Sequence, residues 1–428
     1  MTAQHDVVDP PRAPVLAQAL GFALCACLPA AGVRGAPPAD AGAVQAGTYR
    51  VVLQSPGGDL PFGLALRHGG AGWVGYLING KERLELDDVA VRGPHLDIKM
   101  PGYENRLTAV AVGDRLQGEL VLDKLGGKDQ HIPLRAQRSQ TYRFFPGPSR
   151  AGIDVSGRWS VTFSEDDGTS ETAVGEFSES HGVVTGTFLT DTGDHRFLAG
   201  QARGDELYLS TFDGAHAFLY KAKAGADGTL AGDFWSGSAY HERWTAKRDA
   251  NAALPNAYSL TNMRAGAKAF EFAFPDLAGN VVTSKDARFQ NKVMVIALAG
   301  SWCPNCHDEA AFLEPLYRDY RSRGLEIVAL MFEHFGDFDR AAAATRRFRQ
   351  HYGIEYTTLI AGVSDKDDAA KKLPMLDRVY AFPTMIILDR KGHVRMIHTG
   401  YSGPATGEHY TLFVAEFKSA LDQLLAES

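Results

Sequence analysis

The feature that most constrains this chain is the apolar run Val293-Met294-Val295-Ile296-Ala297-Leu298-Ala299, which leads through Gly300 into Ser301-Trp302-Cys303-Pro304-Asn305-Cys306. The residues that follow, His307 to Glu314, read as helix. A β-run that delivers a C-x-x-C pair to the start of a helix is the setting for dithiol chemistry. That spacing suits a disulfide that opens and closes with little backbone movement. Cys303 falls where unpaired N–H groups and the helix dipole favour a thiolate. Cys306 lies one turn further in, more enclosed, and is placed to resolve a mixed disulfide. The alternative is half of a zinc site, but zinc needs about four ligands and no second pair at suitable spacing follows.

A chain of 428 residues with 45% hydrophobic composition exceeds one ordinary core, so two or three domains are expected. The formal net charge of -7 and the lack of dense Lys/Arg runs argue against nucleic-acid binding. With four cysteines, Cys25, Cys27, Cys303 and Cys306, the fold is not built on disulfides. Cys25 and Cys27 follow an apolar segment, Ala13 to Leu24, that is short for a membrane span and reads as an export signal over residues 1–27. Leu24-Cys25-Ala26-Cys27 resembles the lipobox of bacterial lipoproteins, which implies lipidation at Cys27 and a membrane anchor. Cys25 at an inner position departs from that pattern, and a disordered Ala/Pro-rich leader is the alternative. Residues 28–46 are a linker on either reading.

From Gly47 onward, short alternating runs are broken by glycine and aspartate, as in Thr48 to Gln54, Ala71 to Leu77 and Leu116 to Leu122. These are strands by period and turn signal. A second stretch opens at Gly157-Arg158-Trp159-Ser160-Val161 with the layout of Gly47-Thr48-Tyr49-Arg50-Val51, and the offset stays near 110 residues. Residues 47–139 and 156–249 are therefore expected to be two copies of one antiparallel all-β unit, each curled into a small barrel or sandwich. Within the second, His195, Asp213 and His216 would line a ligand cleft or, the favoured reading, sit at turns and strand ends. The acidic run Glu165-Asp166-Asp167-Gly168 is expected to be a hairpin turn, since it lacks calcium-ligand spacing.

A polar stretch from Asp249 to about Arg264 then reads as a linker. Beyond it strands alternate with helices: Phe270 to Phe274, Val293 to Ala299, a helix over Cys306 to Ser322, Leu325 to Met331, a helix over Phe338 to His351, Tyr356 to Ile360, Thr384 to Leu388 and a helix over Tyr410 to Leu425. Alternation of this kind implies one central sheet covered on both faces.

With Ala299 to Cys306, the strand Gly324 to Ala329 and Ala381-Phe382-Pro383-Thr384-Met385-Ile386 all in view, residues 265–428 resemble the thioredoxin superfamily, in its exported TlpA/ResA-like branch. The fold expected is thus multidomain, two duplicated all-β units followed by an α/β thioredoxin-like fold. The resemblance implies that Cys303 is the attacking cysteine, Cys306 the resolving one, and Pro383 a cis proline facing the disulfide. It also places Ala297 where ordinary thioredoxins carry a buried aspartate, and Glu309 where the exported branch carries a glutamate. Ala311 stands where many relatives have a helix-kinking proline, with Pro315 four residues later.

The residues support these roles on their own terms. Glu309 is three residues after Cys306, so the two share a helix face, and a partly buried carboxylate beside a thiol relays protons. Otherwise it is an ordinary acid compensating the helix dipole. Pro383 precedes an apolar strand, where a cis bond turning the backbone toward the site explains it better than a trans one. Phe382 and Thr384 would then hold an extended substrate by strand addition. Trp302 is a docking side chain beside Cys303, or core. Glu333, His334, His398 and His409 lie near strand ends without forming a metal set.

The function expected is a thiol–disulfide oxidoreductase of the bacterial periplasm or cell envelope. It would need no cofactor beyond the redox-active disulfide and no metal. Its partners would be disulfide-bearing proteins and an upstream thiol reductant. An envelope binding or scaffold protein with an auxiliary redox domain is the alternative from another class. Peroxide reduction is disfavoured because no Pro-x-x-x-Thr-x-x-Cys surrounds Cys303.

Overall fold

The computed structural model describes residues 42–427, apart from 71, 87 and 149–151. Cys25, Cys27 and the export segment lie outside the described residues.

The first region is a meander of nine strands: β1 (Gly47–Ser55), β2 (Gly58–Gly69), β3 (Gly72–Asn79), β4 (Glu82–Leu86), β5 (Asp88–Arg92), β6 (His95–Lys99), β7 (Arg106–Val112), β8 (Arg115–Leu122) and β9 (Gln130–Arg138). β1 pairs with both β2 and β9, and the sheet runs in the order β4-β3-β2-β1-β9-β8-β7-β6-β5. Alternation drives it. In β7 the side chains of Leu107, Ala109 and Ala111 are buried while the residues between them are not.

The second region is β10 (Gly157–Ser164), β11 (Ser170–Ser180), β12 (Val183–Leu189), β13 (Leu198–Arg203), β14 (Glu206–Phe212), β15 (Ala217–Ala224), β16 (Leu230–Ser236) and β17 (Tyr240–Arg248). Here the meander closes into a barrel, with β10 paired to β11 and β17. Closure leaves no free edge, and Phe163, Phe188, Tyr220 and Trp244 fill the interior. Glu165 to Gly168 is the turn between β10 and β11, with the Glu165 N–H donating to Thr169 O at 2.9 Å. The two regions pack together, which the sequence left undetermined. Phe62 meets Phe212 at 4.8 Å between ring centroids, and the Ser210 hydroxyl donates to Pro61 O at 2.6 Å.

The third region begins with a hairpin of β18 (Ala273–Pro275) and β19 (Val281–Thr283). The strand expected over Phe270 to Phe274 is mostly unpaired. Its alternation arises because Phe270 and Phe272 are buried in the adjoining core. The core sheet has β20 (Val293–Ala299), β21 (Leu325–Glu333), β22 (Thr357–Val363), β23 (Thr384–Leu388) and β24 (Val394–Thr399), in the order β22-β21-β20-β23-β24. β20, β21 and β22 are parallel; β23 runs antiparallel to β20, and β24 antiparallel to β23. Around this sheet lie α1 (Pro304–Tyr320), α2 (Phe338–Tyr352), α3 (Lys366–Lys372) and α4 (Glu408–Ala426). Every residue of β20 is buried, as suits a strand covered on both faces. β24 and α3 escape the sequence reading because Arg395 and His398 interrupt one apolar pattern and α3 is short and charged.

Candidate active site

α1 starts where the chemistry is. Cys303 is its N-cap, Pro304 takes the first helical position without losing a needed N–H, and the Cys306 N–H donates to Cys303 Sγ at 3.2 Å. A donor fixed on that sulfur favours its thiolate once the bond is reduced. Cys303 and Cys306 form a disulfide, with their Cα atoms 5.2 Å apart. The Phe382–Pro383 bond is cis, and Phe382 O lies 3.6 Å from Cys303 Sγ.

The neighbouring residues divide by what they touch. Trp302 donates through Nε1 to Phe332 O at 2.8 Å, stacks on His334 and meets Phe382 edge-on. Thr384 is fully enclosed, paired with Leu298 on one side and Thr399 on the other, and its hydroxyl donates to Ala381 O at 2.8 Å. It fastens the proline loop from within and presents nothing to a substrate chain, unlike the sequence expectation. Pro383 O is likewise engaged, accepting from the Gly400 N–H at 2.9 Å.

Glu309 follows Cys306 on α1 and is only 1% exposed, with Oε1 unpaired. Burial holds its carboxyl well above the usual range. That burial sets it apart from an acid that compensates the helix dipole from solvent.

Three arrangements were not visible in the sequence. Glu333, at the end of β21, accepts from the Ser301 N–H at 3.1 Å, the Ser301 hydroxyl at 2.7 Å and the Thr345 hydroxyl at 3.0 Å. It ties the turn before Cys303 to β21 and α2. Burial lifts its carboxyl to about 7 against the pull of these donors. The folded value exceeds the unfolded one, so its contribution to stability is present at acid pH and lost as pH rises through about 7. Glu333→Gln should therefore flatten the fall of Tm across that window, read by calorimetry at several pH values. Glu333→Ala should cost about 3 kcal/mol by stranding buried donors.

The second is His307, whose Nε2 lies 2.7 Å from Ser301 O and whose ring stacks on Tyr103 of the first β-region at 3.8 Å. The third is Arg196, buried between β12 and β13. It ion-pairs with Asp308 Oδ1 at 2.8 Å, Glu82 Oε1 at 3.1 Å and Asp213 Oδ2 at 3.1 Å, and donates to Pro304 O at 3.1 Å. Burial lifts the Asp308 carboxyl to about 7, with Arg196 opposing. Asp213 also pairs with His216 at 3.1 Å. Burial works against its charge, yet His216 and Arg196 hold its carboxyl well below the usual range. His195 packs inside the barrel with Nδ1 2.5 Å from Tyr220 OH, and burial lowers its pKa to about 3. Arg196 thus joins the three regions, whereas His195 and His216 make their contacts within the barrel.

Both sulfurs are buried, Cys303 at 4% exposure and Cys306, the more enclosed of the two, at 1%. No group of metal-ligating side chains occurs among the described residues, and none of their helices is long and apolar enough to cross a membrane.

Residues 265–397 match the AhpC/TSA family. The chain is 27% identical over 137 residues to thiol-disulfide oxidoreductase ResA of Halalkalibacterium halodurans, covering 32% of this chain and 69% of that protein. It is 29% identical over 132 residues to ResA of Bacillus anthracis, covering 31% and 68%. Among solved structures it is similar to a putative thiol:disulfide interchange protein DsbE from Chlorobium tepidum, at 22% identity and a TM-score of 0.27, covering 36% of this chain and 99% of that one. The C-terminal part of this chain, with the Cys303–Cys306 disulfide at the head of α1, is a thioredoxin-like domain of the AhpC/TSA family and a homologue of the ResA thiol-disulfide oxidoreductases.

Proposed function

We propose that the protein reduces or reshuffles disulfides in other proteins outside the cytoplasm. The observation that carries this is the Cys303–Cys306 disulfide at the start of α1, with Cys303 Sγ beside the Phe382 carbonyl. The reduced Cys303 thiolate attacks a substrate disulfide, forming one S–S bond and expelling one substrate thiolate, which takes up a proton. Cys306 then gives up its proton and attacks the Cys303 sulfur. The second substrate thiol leaves, and the enzyme keeps the disulfide. An upstream thiol supplies two electrons to reset it. The full chain should speed the reduction of insulin by dithiothreitol, read as turbidity of the released B chain. A rate equal to dithiothreitol alone would remove the reading.

The location rests on the Ala13 to Leu24 segment, and an anchor at Cys27 rests on Leu24-Cys25-Ala26-Cys27. Labelled fatty acid that persists in Cys27→Ser would refute that anchor. The reading of two copies of one β-unit is supported by the shared order, in which β1 and β10 each pair with both the next and the last strand of their region. An experimental structure with differently ordered strands in either region would overturn it.

A further inference from the structure

The face of the thioredoxin-like domain that carries the dithiol is already occupied. The connection between β12 and β13 crosses it. Asn305, between the two cysteines, donates through Nδ2 to Asp194 O at 3.2 Å. Asp194 Oδ2 accepts from the Gly403 N–H at 2.6 Å. The hydroxyl of Tyr380, three residues before the cis proline, donates to Asp191. The backbone at Thr192 is so close to Gly400 that a Cβ there would lie 2.9 Å from Thr192 C. Gly400 is the residue that bonds Pro383 O, so the barrel loop lies against the groove beside the proline. On the other flank, Asp123 of the first β-region lies 3.1 Å from His334 Nδ1, and His334 in turn stacks on Trp302.

Arg196 fastens this loop. It is buried, a non-glycine residue at φ 55°, and its three carboxylates come from the first β-region, the barrel and α1. A side chain with a Cβ persists in the left-handed region only where its surroundings hold it, and such positions cluster at clamps and switches. A buried charge cluster adds little net stability compared with apolar packing, but it permits one docked geometry and penalises others.

We propose that the Asp191–Arg196 loop is a specificity element of the dithiol site: it covers the face on which a substrate chain must lie, so that a protein disulfide reaches Cys303 only by displacing it. The proposal rests on the oxidoreductase reading for its purpose, though the cover itself is measured independently of catalysis. A small disulfide or alkylating agent needs only a gap beside Cys303, whereas a folded protein needs the loop gone. Discrimination by size follows.

The test compares labelling of Cys303 in the reduced full chain by N-ethylmaleimide and by a maleimide carrying a long polyethylene glycol chain. It is read by mass spectrometry of the Cys303 peptide. The rate with the large reagent divided by the rate with the small one cancels any change in thiol reactivity and reports access alone. In the wild type the ratio should fall well below that of free glutathione; a ratio equal to glutathione's would overturn the proposal whatever the variants do. Arg196→Ala and Asp308→Asn, checked for folding by circular dichroism, should raise the ratio about tenfold by favouring the open population. Arg196→Lys should fall between, because it keeps the charge and loses the fork. An unchanged ratio in a folded Arg196→Ala or Asp308→Asn would overturn it. An inactive wild type with the expected ratio would instead remove the oxidoreductase reading and leave the cover standing.

Discussion

Cys303→Ser should lose disulfide exchange altogether, while Cys306→Ser should attack its substrate once and stall as a covalent mixed disulfide. The expectation follows from where the helix puts each sulfur. Cys303 Sγ accepts the Cys306 N–H and lies beside Phe382 O at the proline loop, so it is the sulfur that faces an incoming chain. Cys306 is behind it, 1% exposed and within the helix. Removing the attacking sulfur should return the insulin-reduction rate to that of dithiothreitol alone. Removing the resolving sulfur leaves the first step intact, because the donor on Cys303 is a backbone N–H that the substitution keeps in place. Non-reducing gels should show an adduct that disappears on adding dithiothreitol. An adduct in Cys303→Ser and none in Cys306→Ser would reverse the roles.

The second large effect is expected at Glu309. Its carboxyl is enclosed in the core to which Cys306 and Leu313 also belong, and burial alone raises its pKa. Burial thus favours its protonated form, which can give a proton to a departing thiolate and then recover it from Cys306. Glu309→Gln keeps the shape and removes the exchangeable proton. Turnover should fall about a hundredfold, the lower end for a positioned acid–base group. The wild-type rate should also decline as pH rises through the folded pKa, and the variant should lack that decline. Stability has the same sign. The folded pKa exceeds the unfolded value near 4.5, so Glu309 contributes stability below that pH and loses it as the medium turns alkaline. The Tm advantage of Glu309→Gln should thus widen with pH. Parallel Tm curves and an unaltered pH–rate profile would leave Glu309 with a packing role only.

Glu309 also shows how far local reading reaches. Its position on the face of Cys306 follows from helical spacing, since residues three apart lie one above the other. Its burial does not, because an acid in an early helical turn is as readily solvated. Thr384 shows the converse. Its position next to Pro383 suggested a substrate contact, but pairing with Leu298 and Thr399 turns it inward.

What the sequence determined by itself is the segment from Val293 to Tyr320, a seven-residue apolar strand followed by a capped, proline-started helix bearing two cysteines. Each of those signals acts over a few residues: the pleat's period, the cap at Cys303, the fixed φ of Pro304. The alternating strands of the β-regions are legible for the same reason. Tertiary structure alone decided that Glu333 holds Ser301, 32 residues away, and that Arg196 reaches Asp308 across two regions. No period or cap encodes such contacts. Arg196 reads as one polar residue in a turn-rich stretch until the barrel docks, and docking excludes water from four charged groups at once. Only then does the loop become a cover for the dithiol, because loss of solvent makes those charges depend on one another and on a few fixed polar neighbours.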